Sequence, residues 1–491
     1  MKDNTRQREQ LIKMTQTPVK SLILRLALPS IISMLISTLY NMADTYFVSQ
    51  INTSASGAVG VVFTISAVIQ AVGFCFGIGS GTMISKELGR GDSKEAGRLA
   101  STSFFLSIFL GLIITAVGAL TIKDLVFTLG ATETIAPYAV DYAIYILLAA
   151  APMIGSYVLS CQLRIQGYSM RSMIGLGIGG ILNIGLDPLF IFTFDMGIAG
   201  AAIATGLSQV ISFIILLYMA NKYGLTPIRF RNFSFRLKRI WNFTSTGSPS
   251  FFRQIISAVS TTILNNIAGP YGDGAIAAMS IAGRVQFFLL ATLMGFYQGF
   301  QSACGFNMGA KRYDRVSEAL WFCAKAAIVY MVCLSAIVIP VAPSIIRLFR
   351  SDALVVEIGS RALRFQAIVT PIMSWNILMN FYFQVEGNNL ASNYLVFSRQ
   401  GFVYIPLLLI LPSILGLTGL EMTLAATELV SFIIALPLSI NAVKQLRERK
   451  AQTLAELASK QRAEQVGDSA GVVQGENGSS ADSVVVGYYG D

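Results

Sequence analysis

Two aspartates lie inside apolar stretches of this chain. Asp44 sits in the run that begins near residue 22, within Tyr40-Asn41-Met42-Ala43-Asp44, and Asp187 in another that begins near 172. Asn183 precedes Asp187 by four residues and so shares its helix face, and Thr205 falls in the next apolar run. Ionisable groups inside segments long enough to cross a bilayer are costly and mark ion or substrate paths. Counted from the expected outer ends at about 1.5 Å per residue, these groups lie about 8–12 Å below one surface. Two carboxylates, an amide and a hydroxyl at one depth suit a cation-binding cage for Na⁺ or protons. Pro188 cannot donate to the carbonyl of Ile184, which marks a hinge and leaves that oxygen available. The competing reading is structural: Asp187-Pro188 caps a kink and Asp44 is held by Asn41.

Other polar residues in apolar runs suggest a cavity. Gln70, Arg253, Asn265, Gln298, Gln301 and Glu428 are candidates to line it. Glu428 would either attract cationic substrates or pair with Arg253, Arg284 or Arg399, and pairing is favoured because a buried charge without a partner is expensive. Arg253, beside Gln254, is equally suited to an anionic substrate.

Enzymatic chemistry is poorly supplied. The chain has no histidine, which excludes an HExxH zinc site, a Ser-His-Asp triad and a histidine proton relay. Gly89-Arg90-Gly91-Asp92 fits the GxGD pattern of intramembrane aspartyl proteases, but Lys86, Glu87, Lys94 and Glu95 place it in a charged loop. No GxxxxGK[ST] phosphate loop occurs, so any pumping must be secondary. Cys75, Cys161, Cys304, Cys323 and Cys333 show no paired spacing and read as small packing residues.

The elements that must position these groups are membrane helices. The chain is 54% hydrophobic and 13% charged, against about 25% charged in soluble domains, and its mean hydropathy is +0.62. About twelve apolar segments occur, near 22–49, 57–84, 99–122, 136–163, 172–194, 197–220, 246–268, 274–304, 316–342, 354–384, 391–412 and 416–442. Each approaches or exceeds the roughly 20 residues that span a bilayer. A barrel would instead read as short alternating strands, so the expected class is an all-α polytopic membrane protein.

The chain also repeats. Leu28-Pro29-Ser30 through Gly89-Arg90-Gly91-Asp92 is echoed about 220 residues later by Ser248-Pro249-Ser250 through Gly309-Ala310-Lys311-Arg312. Gln166-Gly167 likewise answers Glu386-Gly387. Six helices per repeat give two lobes of like orientation, related by a pseudo-two-fold axis along the membrane normal, with the working site between them. The expected layout is an N-terminal tail at 1–20, an N-lobe at 21–220, a basic linker at 221–245, a C-lobe at 246–443 and a disordered tail at 444–491. Lys and Arg cluster in both tails and the linker, which places all three in the cytoplasm. Arg347, Arg350, Arg361 and Arg364 dissent, flanking an outer turn. The net charge of +10 is thus topology, and no nucleic-acid surface is expected.

These residues, in this order, resemble the multidrug and toxic compound extrusion (MATE) family over roughly residues 20–445. The likeness rests on Pro29…Tyr40-Asn41…Asp44, Gly77-Ile78-Gly79-Ser80-Gly81, Arg164-Ile165-Gln166-Gly167, Asn183…Asp187-Pro188 and Gln298-Gly299-Phe300-Gln301…Gly305…Asn307…Gly309-Ala310. It implies a V of two lobes around a central cavity, drug efflux by alternating access, and an N-lobe cation site at the positions of Asp44, Asn183, Asp187 and Thr205. The chain departs from the family where some Na⁺-coupled relatives carry an acid in the seventh helix: Pro249 to Ser257 holds none. Ser302 also replaces a usual Pro. The expectation is an H⁺- or Na⁺-coupled antiporter of the inner membrane, monomeric and without cofactor, that exports small amphipathic organic compounds, cationic by preference. The rivals are a flippase for lipid-linked sugars and, from a different class, a channel or receptor.

Overall fold

The structure, a computed structural model, describes residues 2–475. Helix α1 (Lys2–Gln16) lies ahead of the first span. The N-lobe follows as α2 (Val19–Ser49), α3 (Thr53–Arg90), α4 (Ser93–Leu120), the short α5 (Ile122–Thr128), α6 (Ala136–Leu148), α7 (Ala150–Ile165), α8 (Ser169–Pro188) and α9 (Gly197–Tyr223). The C-lobe comprises α10 (Leu237–Ala268), α11 (Asp273–Gly309), α12 (Tyr313–Phe349), α13 (Ala353–Glu386), α14 (Asn389–Phe397), α15 (Tyr404–Leu415) and α16 (Leu417–Gly475). Helices α6 and α7 form one span bent by 51°. A π-turn at Leu189–Thr193 extends α8, and another at Ser398–Phe402 joins α14 to α15. Counting each joined set once gives six passes per lobe.

Among the described residues, nine helices and the bent pair are long and apolar enough to cross a membrane. The two remaining passes, α10 and α13, are too polar for that test, because their buried positions include Ser250, Ser260, Gln366, Asn376, Asn380 and Gln384. Those groups face protein, where hydrogen bonds can replace water.

Local chemistry sets the turns. Asn52 Oδ1 accepts from Ala55 N at 2.7 Å and starts α3, and Gly91 ends it with φ 84°, a conformation that favours glycine. Asp92 Oδ1 then accepts from Glu95 N at 2.9 Å. The GxGD match is therefore a helix stop and an N-cap. In the C-lobe the same roles fall to Gly387 (φ 91°) and Asn388, which caps α14.

The duplication is visible in the packing. Across the lobes, α2 packs on α11 and α3 on α10. A Cβ on Gly89 would lie 2.3 Å from Phe306 O, and one on Gly309 would lie 2.1 Å from Lys86 O. Those two contacts are mates under the 220-residue offset, so the pseudo-two-fold passes between them. Inside each lobe a related clasp recurs: Ser160 Oγ and Ser172 Oγ are 2.7 Å apart, and Asn380 Nδ2 donates to Ser392 Oγ at 3.0 Å.

Hydrogen bonds between the lobes gather toward the end that carries the basic linker. There Gln301 Nε2 donates to Thr82 Oγ1 at 3.4 Å and Ser302 Oγ to Arg164 O at 2.9 Å. Helix α1 adds to this seal. It touches the N-lobe through Gln10 Nε2, which donates to Gln166 O at 3.2 Å, and the C-lobe through Asn307 Nδ2, which donates to Met14 O at 3.1 Å; just past its end Arg315 donates to Thr17 O. Gln254 Nε2 donates to Gln70 Oε1 at 2.9 Å, near mid-height of α3. Among the described residues, no hydrogen bond joins the lobes beyond that level toward the opposite end.

Two expectations change. The tail from 444 is helical to Gly475, continuous with the last span. Its Ala, Glu, Gln, Lys and Arg are strong helix formers, and it is tied down by Arg449 Nη1 to Glu386 Oε1 at 3.2 Å and by Thr453 Oγ1 to Lys311 O at 3.2 Å. Residues 476–491 of that expected tail lie outside the described residues. Cys333 is exposed, while the other four cysteines are buried.

Candidate functional site

Four helices of the N-lobe converge on the acidic residues. On α8, Asn183 and Asp187 are buried, with Asp187 fully enclosed. Asn183 Nδ2 donates to Asp187 Oδ1 and to Thr205 Oγ1 of α9, each at 3.1 Å. Asp44 of α2 accepts from Tyr142 Oη of α6 through Oδ2 at 3.4 Å. Three oxygens in this group are buried without any hydrogen-bond partner: Asp44 Oδ1, Asn183 Oδ1 and Asp187 Oδ2. Among the described residues, no arginine or lysine pairs with either aspartate. Asn41 does not hold Asp44, since its Nδ2 donates to Ser37 O at 2.7 Å.

That donor set fits a small cation. Buried anionic oxygens need a proton, a metal ion or an opposite charge to offset their desolvation. With two carboxylates, an amide oxygen and a hydroxyl, the residues supply hard oxygen ligands of the kind Na⁺ accepts, and the carboxylates also accept protons. Pro188 leads directly into the π-turn at Leu189–Thr193. Such turns loosen the backbone ladder next to functional groups.

Tyr142 was not legible as part of this group. An aromatic residue in an apolar run usually packs, and only the fold brings α6 against α9. The available signal is its depth, one turn past Tyr138 in the same span.

The cavity candidates scatter. Gln70 bridges the lobes through Gln254. Gln298, which is buried, has its Nε2 3.6 Å from Met34 Sδ across the lobes and its Oε1 unpartnered. Gln301 is fully buried in the seam against Thr82 and Gln384, so it lines no open surface. Asn265 is exposed near the end of α10.

The C-lobe charges are arranged differently. Arg399 Nε donates to Glu428 Oε1 at 2.5 Å, so Glu428 is engaged by a partner. Arg361 Nη2 lies 3.0 Å from Oε1 of the fully buried Glu421 and its Nη1 lies 3.2 Å from Glu357 Oε1. Arg364 Nε donates to Ile339 O at 3.1 Å. Two of the four arginines that dissented from the charge rule are thus held by internal partners. Arg253 shares a small cavity with Arg399.

Comparison with known proteins agrees with this architecture. The MatE family profile matches residues 29–189 and 249–410, once in each lobe. The multidrug export protein MepA of Staphylococcus aureus (strain NCTC 8325 / PS 47) is 27% identical over 423 residues, which is 86% of this chain and 93% of that protein. A solved structure described as the outward-facing conformation of a multidrug resistance MATE family transporter of the MOP superfamily superposes with a TM-score of 0.84 at 26% identity, covering 89% of this chain and 98% of that one. A MOP superfamily transporter from Pyrococcus furiosus, described as having a binding pocket of reverse polarity that suggests a different function, superposes with a TM-score of 0.83 at 25% identity, covering 89% and 98%.

Proposed function

The chain belongs to the MATE family of transporters, and from that premise we propose that it is a cation-coupled antiporter that exports small amphipathic organic compounds, cationic ones among them. The observation that carries the coupling is the pair of carboxylates, the half-buried Asp44 and the enclosed Asp187, each with a buried unpartnered oxygen and neither in an ion pair among the described residues. Substrate scope follows the multidrug export relatives. The end bearing the basic linker is cytoplasmic by the positive-inside rule, and both termini lie on that side. The hydrogen bonds between the lobes cluster at that end, which supports an outward-open arrangement of a monomer in the cytoplasmic membrane.

In this state Asp44 and Asp187 take up H⁺ or Na⁺ from outside. Occupation neutralises the two carboxylates and redirects Asn183 Nδ2, now shared between Asp187 and Thr205. The change is transmitted at Pro188 and its π-turn, substrate is released outward, and the lobes rock to face the cytoplasm. Inward cation movement supplies about 2.3 kcal/mol per charge per 100 mV, enough for one or two cations to drive accumulation of substrate outside.

The test is ethidium efflux from cells with Na⁺ and pH gradients imposed separately. Efflux that follows one gradient and is lost in Asp187→Asn supports the proposal and names the ion. Gradient-driven efflux that persists in both Asp44→Asn and Asp187→Asn would sink it.

A further inference from the structure

The C-lobe holds a second built site, of opposite charge. Its cavity lies between α10, α13 and the π-turn at Ser398–Phe402, with Arg253, Asn376, Arg399, Gln400 and Ser431 on its walls. Glu428 binds Arg399 through Oε1, which accounts for one guanidinium. Arg253 has no hydrogen bond or ion pair among the described residues, and Arg399 lines the same cavity. Arg253 is half-buried, and a guanidinium drawn from water without an anion is destabilising.

The cavity also holds unspent hydrogen-bonding groups. Both amide atoms of Asn376, which is 6% exposed, and Ser431 Oγ, which is 2% exposed, are buried with no partner, as is Gln400 Oε1. Arg253, Asn376 Nδ2 and Ser431 Oγ together offer five guanidinium N–H bonds, an amide N–H₂ and a hydroxyl. Met294, Ile377, Leu395 and Val396 complete the walls with apolar surface. A planar fork of donors beside an apolar wall matches a carboxylate carried on a hydrophobic body.

We propose that this C-lobe cavity binds the carboxylate of amphipathic organic acids and zwitterions, with Arg253 as the anion-binding group and Asn376 and Ser431 as supporting donors. Arg399 already donates its Nε to Glu428, which leaves Arg253 as the guanidinium on this wall without an ion-pair partner among the described residues. The substrate class deepens the exporter reading and rests on it for its physiological sense, but binding can be measured without transport.

The experiment uses the full chain in detergent at neutral pH, with dansyl-phenylalanine as the probe and its uncharged amide as the matched control, both followed by dansyl fluorescence. One guanidinium–carboxylate contact predicts that the acid binds about tenfold tighter than the amide. Arg253→Gln should erase that difference without weakening the amide, and Arg253→Lys should keep part of it. Equal affinity of acid and amide in the unaltered protein would overturn the proposal, whether or not Arg253→Gln folds. So would a preference that survives Arg253→Gln, or an Arg253-dependent preference for a long-chain alkyl phosphate over the carboxylate. Absence of gradient-driven ethidium efflux in the unaltered protein, with the acid preference intact, would count against the antiporter reading and leave this site standing.

Discussion

In the N-lobe, oxygen donors occupy positions 44, 183, 187 and 205; one repeat later (220 residues, or 219 in the last helix, where Gly197-Ile198-Ala199-Gly200 answers Gly416-Leu417-Thr418-Gly419) the C-lobe has Leu264, Val403, Leu407 and Leu424. The exchange also runs the other way. Arg253, Arg399 and Glu428 of the C-lobe correspond to Ser33, Gly179 and Gln209 of the N-lobe. Each half therefore carries its buried charge where the other is uncharged. The scaffold, by contrast, is shared: Pro29 and Pro249, the Gly89–Gly309 seam and the α7–α8 clasp with its α13–α14 counterpart recur in both. Even the π-turns have moved. The C-lobe turn starts at Ser398 and the N-lobe turn at Leu189, so relative to the repeat it comes about three helical turns earlier. That shift carries Arg399 to Glu428. Backbone packing fixes what a duplication must keep, and the charges are free to diverge because they contribute little to holding the lobes together.

The contrast can be broken first at the acidic site. Asp187→Asn is expected to reduce gradient-driven ethidium efflux to background, whereas Leu407→Asn, at the matching C-lobe position, should leave the gradient dependence in place. Equal loss in both would mean that the lobes share the coupling. Stability should separate them next, and in opposite senses. Glu428→Gln strands Arg399 beside Arg253 and should cost about 3 kcal/mol, read as a lower thermal unfolding midpoint in detergent. Asp187→Asn removes an uncompensated charge and should not lower that midpoint. Replacing Arg399 and Glu428 together by Leu should recover most of the loss.

The shared scaffold gives a third check. Gly89→Val and Gly309→Val each drive a side chain into backbone across the seam, and each should cost about 1–3 kcal/mol. Unequal costs in the same unfolding assay would show that the pseudo-symmetry is only approximate there. The smallest effect is expected at Tyr142→Phe. Losing one 3.4 Å hydrogen bond to Asp44 should cost about 1 kcal/mol, seen as a roughly fivefold higher ion concentration for half-maximal efflux.

Several features of the N-lobe group could be read without coordinates. An acid inside an apolar run is anomalous at any depth, and Asn183 and Asp187 are four residues apart, so their shared face follows from helix geometry alone. Thr205 came from counting depth in adjacent spans, which works because helices rise uniformly. The cavity list fared differently. Gln301 is packed into the seam and Asn265 is exposed near a helix end, because polarity within a span does not say which way a side chain points.

The sequence by itself determined the class, the twelve passes, the duplication and the presence of expensive groups in lipid-depth segments, since these depend on composition, length and periodicity. Tertiary structure alone decided which expensive groups are compensated. Glu421 and Glu428 found Arg361 and Arg399 across helix interfaces, Asp44 gained Tyr142, and Arg253 was left without an anion among the described residues. Pairing depends on how helices distant in sequence rotate about their axes when they pack, and no local pattern records that rotation.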